Sequence, residues 1–252
     1  IIIPLWYTRS SVFQATILDS SEEPVFVIQD GRKVTLINSG DENTARFMVL
    51  PFLRQQGINR INWSIALHSQ KGLSRGWSDI LNTLRVKIFY DVEADDEKNY
   101  QTNNQPVLDA VGASRADYFT LVNNQTVELG SIQMKLINSE TPIVEFMIHG
   151  QKWLLLGEVK LAEQSRLLAA RSFPQTQVLW WSGNKLNPEL LNIIRPKVAI
   201  ASSDSVHPDM VELCRKNNIL LFWTGRDGAI QWTPATGFQT TLESDKVDSS
   251  LL

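Results

Sequence analysis

The chain has 252 residues, of which 43% are hydrophobic, and its charged side chains nearly cancel to a formal net charge of −3. A chain of this length can bury one large core, and a charge so close to zero excludes a polycation that is steered as a whole onto nucleic acid, so that any DNA contact requires a local basic patch. The single cysteine, Cys214, excludes an internal disulfide and a cysteine-rich metal cluster.

The first half of the chain contains one clear hairpin signal. Two apolar runs, 25–29 and 33–40, flank Asp30-Gly31, and Asp-Gly between such runs is typical of a tight β-turn. In chain order, the predicted elements are a strand-like run at 16–19, the hairpin, a helix at 43–56, a strand at 61–67, a helix at 77–83 and a strand at 86–90.

The next stretch, 91–105, is acidic and rich in Asn and Gln, with almost no apolar residues. A segment of this composition buries too little apolar surface to offset the entropy that ordering costs. We therefore expect a mobile connection between the two halves of the chain.

The second half also opens with a hairpin, signalled by Ile148-His149-Gly150-Gln151. The predicted elements that follow are helix 160–170, strand 177–181, helix 188–194, strand 197–201, helix 208–217, strand 219–223 and strand 228–233. Strands that alternate with helices of about ten residues imply outer helices, and two hairpin-led halves imply two sheets packed face to face. The predicted fold is an α/β αββα sandwich of two mixed β-sheets, formed by one domain over 1–238 and followed by a polar tail over 239–252.

The start of the chain is apolar and aromatic. No apolar run approaches the roughly 18 residues of a membrane span, and the sequence has no signal peptide. Residue 1 is not Met, and residues 1–7 resemble the end of a segment that continues upstream, so we expect a part of a longer protein. Trp6 and Tyr7 suit a membrane interface. The alternative is that these residues form the first edge strand.

Several motifs occur in an order that is typical of one known family. The chain carries Leu36-Ile37-Asn38-Ser39-Gly40 after the first hairpin and Leu154-Leu155-Leu156-Gly157-Glu158 after the second. Two more specific strings follow, Pro196-Lys-Val-Ala-Ile-Ala-Ser202 and Arg226-Asp-Gly-Ala-Ile230. Over roughly residues 12–235 the sequence resembles a metallo-β-lactamase-fold domain, and more narrowly the C-terminal domain of the ComEC-type DNA-uptake channel proteins of competent bacteria.

The resemblance implies where metal ligands would stand. The family carries an acid after the first hairpin, a His-x-His-x-Asp-His motif after the strand at 61–67, a bridging acid after the second hairpin and a later histidine. In this chain those positions fall, in sequence order, on Asn38, His68, Gln70, Gly72, Leu73, Glu158 and Trp180 or Trp181. One His and one Glu are left of a set that should hold about five or six ligands.

Two ligands give poor metal affinity, and a tryptophan at a ligand position fills the volume that a metal and its water need. We therefore expect a metal-free, non-catalytic cleft without a cofactor. The alternative is an active metal-dependent nuclease or phosphodiesterase with a reorganised site that uses donors such as Asp19, Asp41 or Asp204.

Two other groups with reactive side chains have simpler structural interpretations. Ser203, Asp204 and His207 lie in one short loop, whereas a catalytic triad converges in space, so a polar cap before a helix is the expected role. Cys214 lies in an apolar-patterned helix and is predicted to be a core thiol. The sequence has no dinucleotide-binding or phosphate-loop glycine motif, so nucleotide chemistry has no support.

Eight tryptophans are unusual for this length. Strand alternation assigns Trp180 and Trp181 to opposite sheet faces, and core burial is the expected role of most of the eight. The alternative is that Trp77, Trp180 or Trp181 stacks on DNA bases beside cations that pair with phosphates. The candidate DNA contacts are Lys71, Arg75, Trp77, Lys185 and Arg226.

The resemblance implies a membrane-associated domain of a channel that passes single-stranded DNA into the cell. Its implied partners are the transmembrane channel portion of the same polypeptide and single-stranded DNA, and no small-molecule cofactor is implied. We expect a structural or strand-guiding module in natural transformation. A stand-alone interaction domain unrelated to DNA is the third interpretation.

Overall fold

The computed structural model describes residues 13–18, 24–67, 75–92, 97–169 and 173–242. The strands are β1 (Phe13–Leu18), β2 (Val25–Asp30), β3 (Lys33–Ile37), β4 (Arg60–Ala66), β5 (Arg85–Val92), β6 (Asp117–Leu121), β7 (Thr126–Leu129), β8 (Ile132–Asn138), β9 (Ile143–Ile148), β10 (Gln151–Leu156), β11 (Val178–Trp181), β12 (Val198–Ala201), β13 (Leu220–Trp223), β14 (Ile230–Thr233) and β15 (Gly237–Thr240). The helices are α1 (Glu42–Thr44), a π-helical turn (Ala45–Val49), α2 (Leu50–Gln55), α3 (Gly76–Thr83), α4 (Glu97–Ser114), α5 (Leu161–Ala169), α6 (Pro188–Ile194), α7 (Pro208–Lys216) and α8 (Thr224–Asp227).

The strands form two sheets. The order in the first is β15-β14-β1-β2-β3-β4-β5-β6, and the order in the second is β13-β12-β11-β10-β9-β8-β7. In the first sheet β1, β2 and β3 pair antiparallel and β3 to β6 pair parallel. In the second, β7 to β10 pair antiparallel and β10 to β13 pair parallel. Both sheets are therefore mixed, with the parallel strands in the segments that alternate with helices.

Both predicted hairpins form at the predicted turns. Asp30 pairs with Lys33 across the first turn, and Gln151 pairs with Ile148 across the second. His149 and Gly150 have positive φ angles of 47° and 76°. Positive φ at both central residues is the conformation of a type I′ turn, whose twist matches that of the flanking strands.

The core has three layers, and each is an apolar cluster. The central cluster lies between the sheets, where Phe26 of β2 contacts Phe146 of β9 with ring centroids 6.1 Å apart. The other two lie between each sheet and its outer helices. Trp180 belongs to the central cluster and Trp181 to an outer one, as strand alternation predicts. The predicted αββα sandwich of two mixed sheets is confirmed.

A mobile connection is predicted over residues 91–105. In the described part of that stretch, the structure instead shows regular secondary structure. Asp91 and Val92 complete β5, and residues 97–105 form the first turns of α4. The helix is held by its second half, where Val107, Ala110 and Val111 are buried against the outer face of the first sheet. Apolar residues that come after the polar stretch therefore determine its structure.

β15 includes residue 238, where the predicted domain ends and the predicted polar tail begins, and it pairs antiparallel with β14. Phe238 anchors this strand, since its ring lies 5.4 Å from Trp153 and 5.7 Å from Phe222. Among the residues that the structure describes, no helix combines the length and the apolar content that crossing a bilayer requires.

A pair of glycine substitutions tests the packing of α3. A Cβ atom on Gly76 would contact the carbonyl oxygen of Gly40 and lie 2.6 Å from that of Asp41, whereas a Cβ atom on Gly112 would meet nothing within 4 Å. We expect Gly76→Ala to lower the free energy of unfolding by about 1–3 kcal/mol through overpacking. Gly112→Ala should raise it by about 0.5–1 kcal/mol because alanine favours the helix. Urea denaturation measures both, and equal effects would contradict the predicted contact.

Candidate functional site

The two sheets end together at the side of the sandwich where the motif residues lie. Phe26, near the start of β2, contacts Trp180 of β11 with ring centroids 5.1 Å apart. Asn38 follows β3 on this side, and Ser202 follows β12. The carboxyl ends of parallel strands are where open α/β sheets bind their ligands. This side of the molecule is therefore the candidate site.

Asn38 links three segments of the backbone by hydrogen bonds, and we call this arrangement the Asn38 clamp. Its side chain is buried, its Nδ2 donates to the carbonyl of Pro24 at 3.0 Å, and its Oδ1 accepts from the backbone N–H of Leu67 at 2.8 Å. Its own N–H donates to the carbonyl of Ile65 at 2.9 Å. The φ of 60° is one that asparagine tolerates better than most residues. Asn38 thus joins the start of β2 to the ends of β3 and β4.

This arrangement differs from that of an acidic metal ligand. The amide nitrogen carries only donors and donates to Pro24, and the amide oxygen accepts from the N–H of Leu67, so Asn38 lacks both the charge and the second acceptor oxygen of a carboxylate. The position that the resemblance assigns to an acid has a structural role instead.

Trp180 and Trp181 stand where the resemblance places the later histidine, and both side chains pack in the core. Both are 1% exposed. The indole N–H of Trp180 donates to Ser202 Oγ at 2.7 Å, and that of Trp181 donates to the carbonyl of Asn184 at 3.0 Å. An indole N–H is a donor only, so neither ring can coordinate a metal.

Of the other ligand positions, only Glu158 lies in the described part of the chain. Glu158 lies on the surface after β10, and His68, Gln70, Gly72 and Leu73 lie outside the described residues. Where the structure describes the chain, no group of three or more His, Cys, Asp or Glu side chains could hold a metal ion. Within the described part of the chain, the residues at these positions therefore do not form the metal centre that the resemblance implies.

Two of the three donors considered for a reorganised site, Asp41 and Asp204, lie among the described residues. Asp41 caps α1, where its Oδ1 accepts from the N–H of Thr44 at 2.7 Å, and this backbone hydrogen bond lowers the pKa of the carboxyl group. Asp204 is exposed, and Asp19 lies outside the described residues. His207 caps α7 through Nδ1, which accepts from the N–H of Asp209 at 3.2 Å. The predicted cap before this helix is confirmed.

Cys214 is buried, as predicted, among the apolar residues between the second sheet and its helices. Burial raises the pKa of its thiol to about 11, because the thiolate would lose its hydration. The thiol is therefore protonated at neutral pH, which suits a core residue and not a nucleophile.

The candidate DNA contacts differ in how exposed their side chains are and in whether a carboxylate pairs with them. Trp77 is 1% exposed and packs edge-on against Phe89, so its ring has no face on which a base could stack; this part of the prediction is wrong. The rings of Trp180 and Trp181 are excluded for the same reason. Lys71 lies outside the described residues, whereas Arg75 is exposed at the start of α3.

The two remaining cations are paired with carboxylates. Lys185 forms an ion pair with Asp209, and this hydrogen bond lowers the pKa of the aspartate. Arg226 binds both carboxylate oxygens of the buried Asp227, donates to the carbonyl of Leu221 at 3.0 Å, and lies 3.6 Å above the ring of Trp223. Arg226 therefore fixes the end of β13, and neither cation is an unpaired anchor for a phosphate.

Sequence reasoning missed a second buried amide that orders the loops of the second sheet. Gln164 on α5 is fully buried; its Nε2 donates to the carbonyl of Val159 at 2.8 Å, and its Oε1 accepts from the N–H of Asn187 at 2.7 Å. A glutamine at a helix position that faces the core is the one signal that indicates such a role.

Comparison with solved structures identifies the fold. CmlA, a diiron β-hydroxylase from Streptomyces venezuelae, matches with a TM-score of 0.56 and 9% identity over 88% of this chain and 54% of its own. Tm1679, a metal-dependent hydrolase of the β-lactamase superfamily, matches with a TM-score of 0.50 and 8% identity over 83% of this chain and 94% of its own. This chain thus spans about half the length of CmlA. No family model matches the sequence, and no curated protein matches it either.

The chain therefore has the metallo-β-lactamase fold. Likeness at such identities shows the fold alone, because one fold supports many unrelated functions. What the site does has to be inferred from the residues of this chain.

The substitution Asn38→Asp, which introduces the acid that the family carries at this position, tests the role of the Asn38 clamp. In Asn38→Asp a buried carboxylate would face the carbonyl of Pro24, and both are acceptors. We expect the free energy of unfolding at pH 7 to fall by about 2–4 kcal/mol. Asn62→Asp is the matched control, because Asn62 uses its Oδ1 to accept from the N–H of Val34 at 3.0 Å and an aspartate keeps that bond.

The loss of unfolding free energy in Asn38→Asp should depend on pH. Burial and the facing carbonyl raise the folded-state pKa of the new carboxyl group above its unfolded value of about 3.9. The variant is then penalised above the folded-state pKa and recovers as the pH falls towards about 4, where the protonated acid can donate to Pro24. Denaturation at a series of pH values measures this, and a variant as stable as Asn62→Asp throughout would contradict the clamp.

Proposed function

We propose that this chain is a non-catalytic metallo-β-lactamase-fold domain of a membrane DNA-uptake channel, in which it acts as a structural module in natural transformation. Its partner is the transmembrane channel portion of the same polypeptide, which places the domain at a membrane. A second, dependent part of the proposal is that the domain guides single-stranded DNA along one side of its cleft.

The observation that carries the non-catalytic part is the state of Asn38. A hydrolase of this fold needs several His and Asp donors that converge on a cation and lower the pKa of its bound water. Here a neutral amide stands at the acid position, and both of its ends are bonded to backbone groups. Tryptophans that belong to the core stand at the position of the later histidine.

The channel assignment is supported by the strings Pro196–Ser202 and Arg226–Ile230, which resemble the last stretch of the ComEC-type domain. The strand-guiding part is supported by the exposed Arg75 and by Lys71, which precedes it closely in the sequence. Lys185 and Arg226 give it no support, because aspartates neutralise both.

Metal content and nuclease activity test the non-catalytic part together. We expect the purified chain, by elemental analysis, to hold far less than one zinc or manganese ion per molecule. It should also leave single-stranded DNA intact in added Mn²⁺ or Zn²⁺. Near-stoichiometric metal, with cleavage that is abolished in His68→Ala, would instead establish the metal-dependent nuclease.

DNA binding tests the strand-guiding part separately. Lys71→Ala combined with Arg75→Ala should weaken the binding of a fluorescent single-stranded oligonucleotide about tenfold at low salt, because two phosphate contacts are lost. The matched control is Arg85→Ala combined with Lys87→Ala, which removes the same charge from exposed positions on β5. Equal losses in the two variants, or no binding by the wild type, would leave the domain with the structural role alone.

A further inference from the structure

The strand β13 is an edge of the second sheet. It pairs in parallel with β12 on one side, and over the described parts of the chain no strand pairs with its other side. The N–H of Leu220 donates to the carbonyl of Lys197, the residue before β12. Because the hydrogen-bonding groups of successive residues point to alternate sides of a strand, those of Leu221 and Trp223 point away from β12. Outward groups of an edge strand are a template for pairing with a further strand.

The sequence of this edge favours such pairing. Residues 219–223 read Ile-Leu-Leu-Phe-Trp, a run without charge, Pro or Gly. Identical segments of this composition stack on one another as strands and join through dry apolar interfaces. Lys, Pro and bulges are the usual protections of an edge strand, but β13 contains neither Lys nor Pro and pairs with β12 in continuous register. Protection of this edge has to come from outside the strand.

Two charged side chains of the next turn occupy the outward groups of β13. Nη2 of Arg226 donates to the carbonyl of Leu221 at 3.0 Å, and Oδ2 of Asp227 accepts from the N–H of Trp223 at 2.9 Å. In a parallel ladder, a single residue of the neighbouring strand donates to the carbonyl of one residue and accepts from the N–H of the residue two positions further on. The Arg226–Asp227 pair makes the same two bonds and so takes the place of a neighbouring strand.

The pair is held in this position from several sides. Nε and Nη2 of Arg226 donate to the two carboxylate oxygens of Asp227 at 2.6 and 2.7 Å, and the guanidinium lies 3.6 Å above the ring of Trp223. Asp227 is fully buried. A Cβ atom on Gly225 would overlap the backbone of Asp204, so α8 lies directly against the loop after β12. The edge is therefore uncovered only when charge-assisted hydrogen bonds break.

We infer that the Arg226–Asp227 pair is an intramolecular lock, which keeps residues 219–223 from pairing with the same segment of a second copy of this chain. Both members are required, because Asp227 orients the guanidinium that covers the carbonyl of Leu221, and the buried carboxylate needs the cation as its partner. The lock does not depend on the proposed function, since it uses neither DNA nor a membrane.

Removal of either charge tests the lock. A hydrogen bond to a charged group shifts an equilibrium by about tenfold or more, so we expect Arg226→Ala and Asp227→Asn to associate at least about tenfold faster than the wild type. Static light scattering at high protein concentration measures the association, and thioflavin T fluorescence reports stacked strands. Asp227→Asn keeps the shape of the side chain, and circular dichroism before the incubation should show that both variants are folded.

The controls separate the edge from other causes of association. Lys152→Ala breaks an ion pair with Glu145 on interior strands of the same sheet and should behave as the wild type. Gly76→Ala, which lowers stability in the first sheet, should associate no faster than the wild type although less stable. Leu220 is 40% exposed, and Leu220→Lys combined with Asp227→Asn should suppress the association, because like charges then face each other between the paired edges.

Arg226→Ala and Asp227→Asn variants that associate no faster than the wild type would overturn the lock. Association that Leu220→Lys leaves unchanged would overturn it as well, because the contact would then lie away from β13. Equally fast association of Gly76→Ala would have the same meaning, since lost stability alone would then explain the effect.

Discussion

The strand ends of the first sheet are joined by one buried amide, that of Asn38, and the geometry of the site depends on its hydrogen bonds. Asn38 bridges a carbonyl that needs a donor and an N–H that needs an acceptor, which a single amide can do and a carboxylate cannot unless it is protonated. Hydrogen bonds of the chain itself therefore cross-link the start of β2 with the ends of β3 and β4.

The second sheet shows the same principle. Ser202 accepts from Trp180, Gln164 spans two loops, and Asp227 holds Arg226 and the N–H of Trp223. These three polar groups are bonded to the protein itself. A buried polar group without a partner costs about 1–3 kcal/mol, so these internal hydrogen bonds stabilise the loops that they join. Both sheets thus order their ends with hydrogen bonds, although the residues differ.

Much of the fold could be predicted from the sequence, because hairpin turns and helix periodicity are local signals. β6 was missed because an exposed edge strand lacks alternation, and α4 because its apolar contacts begin only at Val107. The site was predictable in position but not in geometry. Asn38 meets partners 14 and 29 residues away, and no local pattern reveals such contacts. For the same reason Trp77 could not be distinguished from a surface ring until its neighbours were known.

Hydrogen exchange at the backbone N–H of Leu67 is the most direct test of the clamp, since this group donates to Asn38 Oδ1. Measured by NMR in the wild type, this N–H should exchange slowly, and its protection should be the same with EDTA as with added Zn²⁺. Protection that disappears on chelation and returns with Zn²⁺ would contradict a clamp made of hydrogen bonds and would show that a cation orders these strand ends.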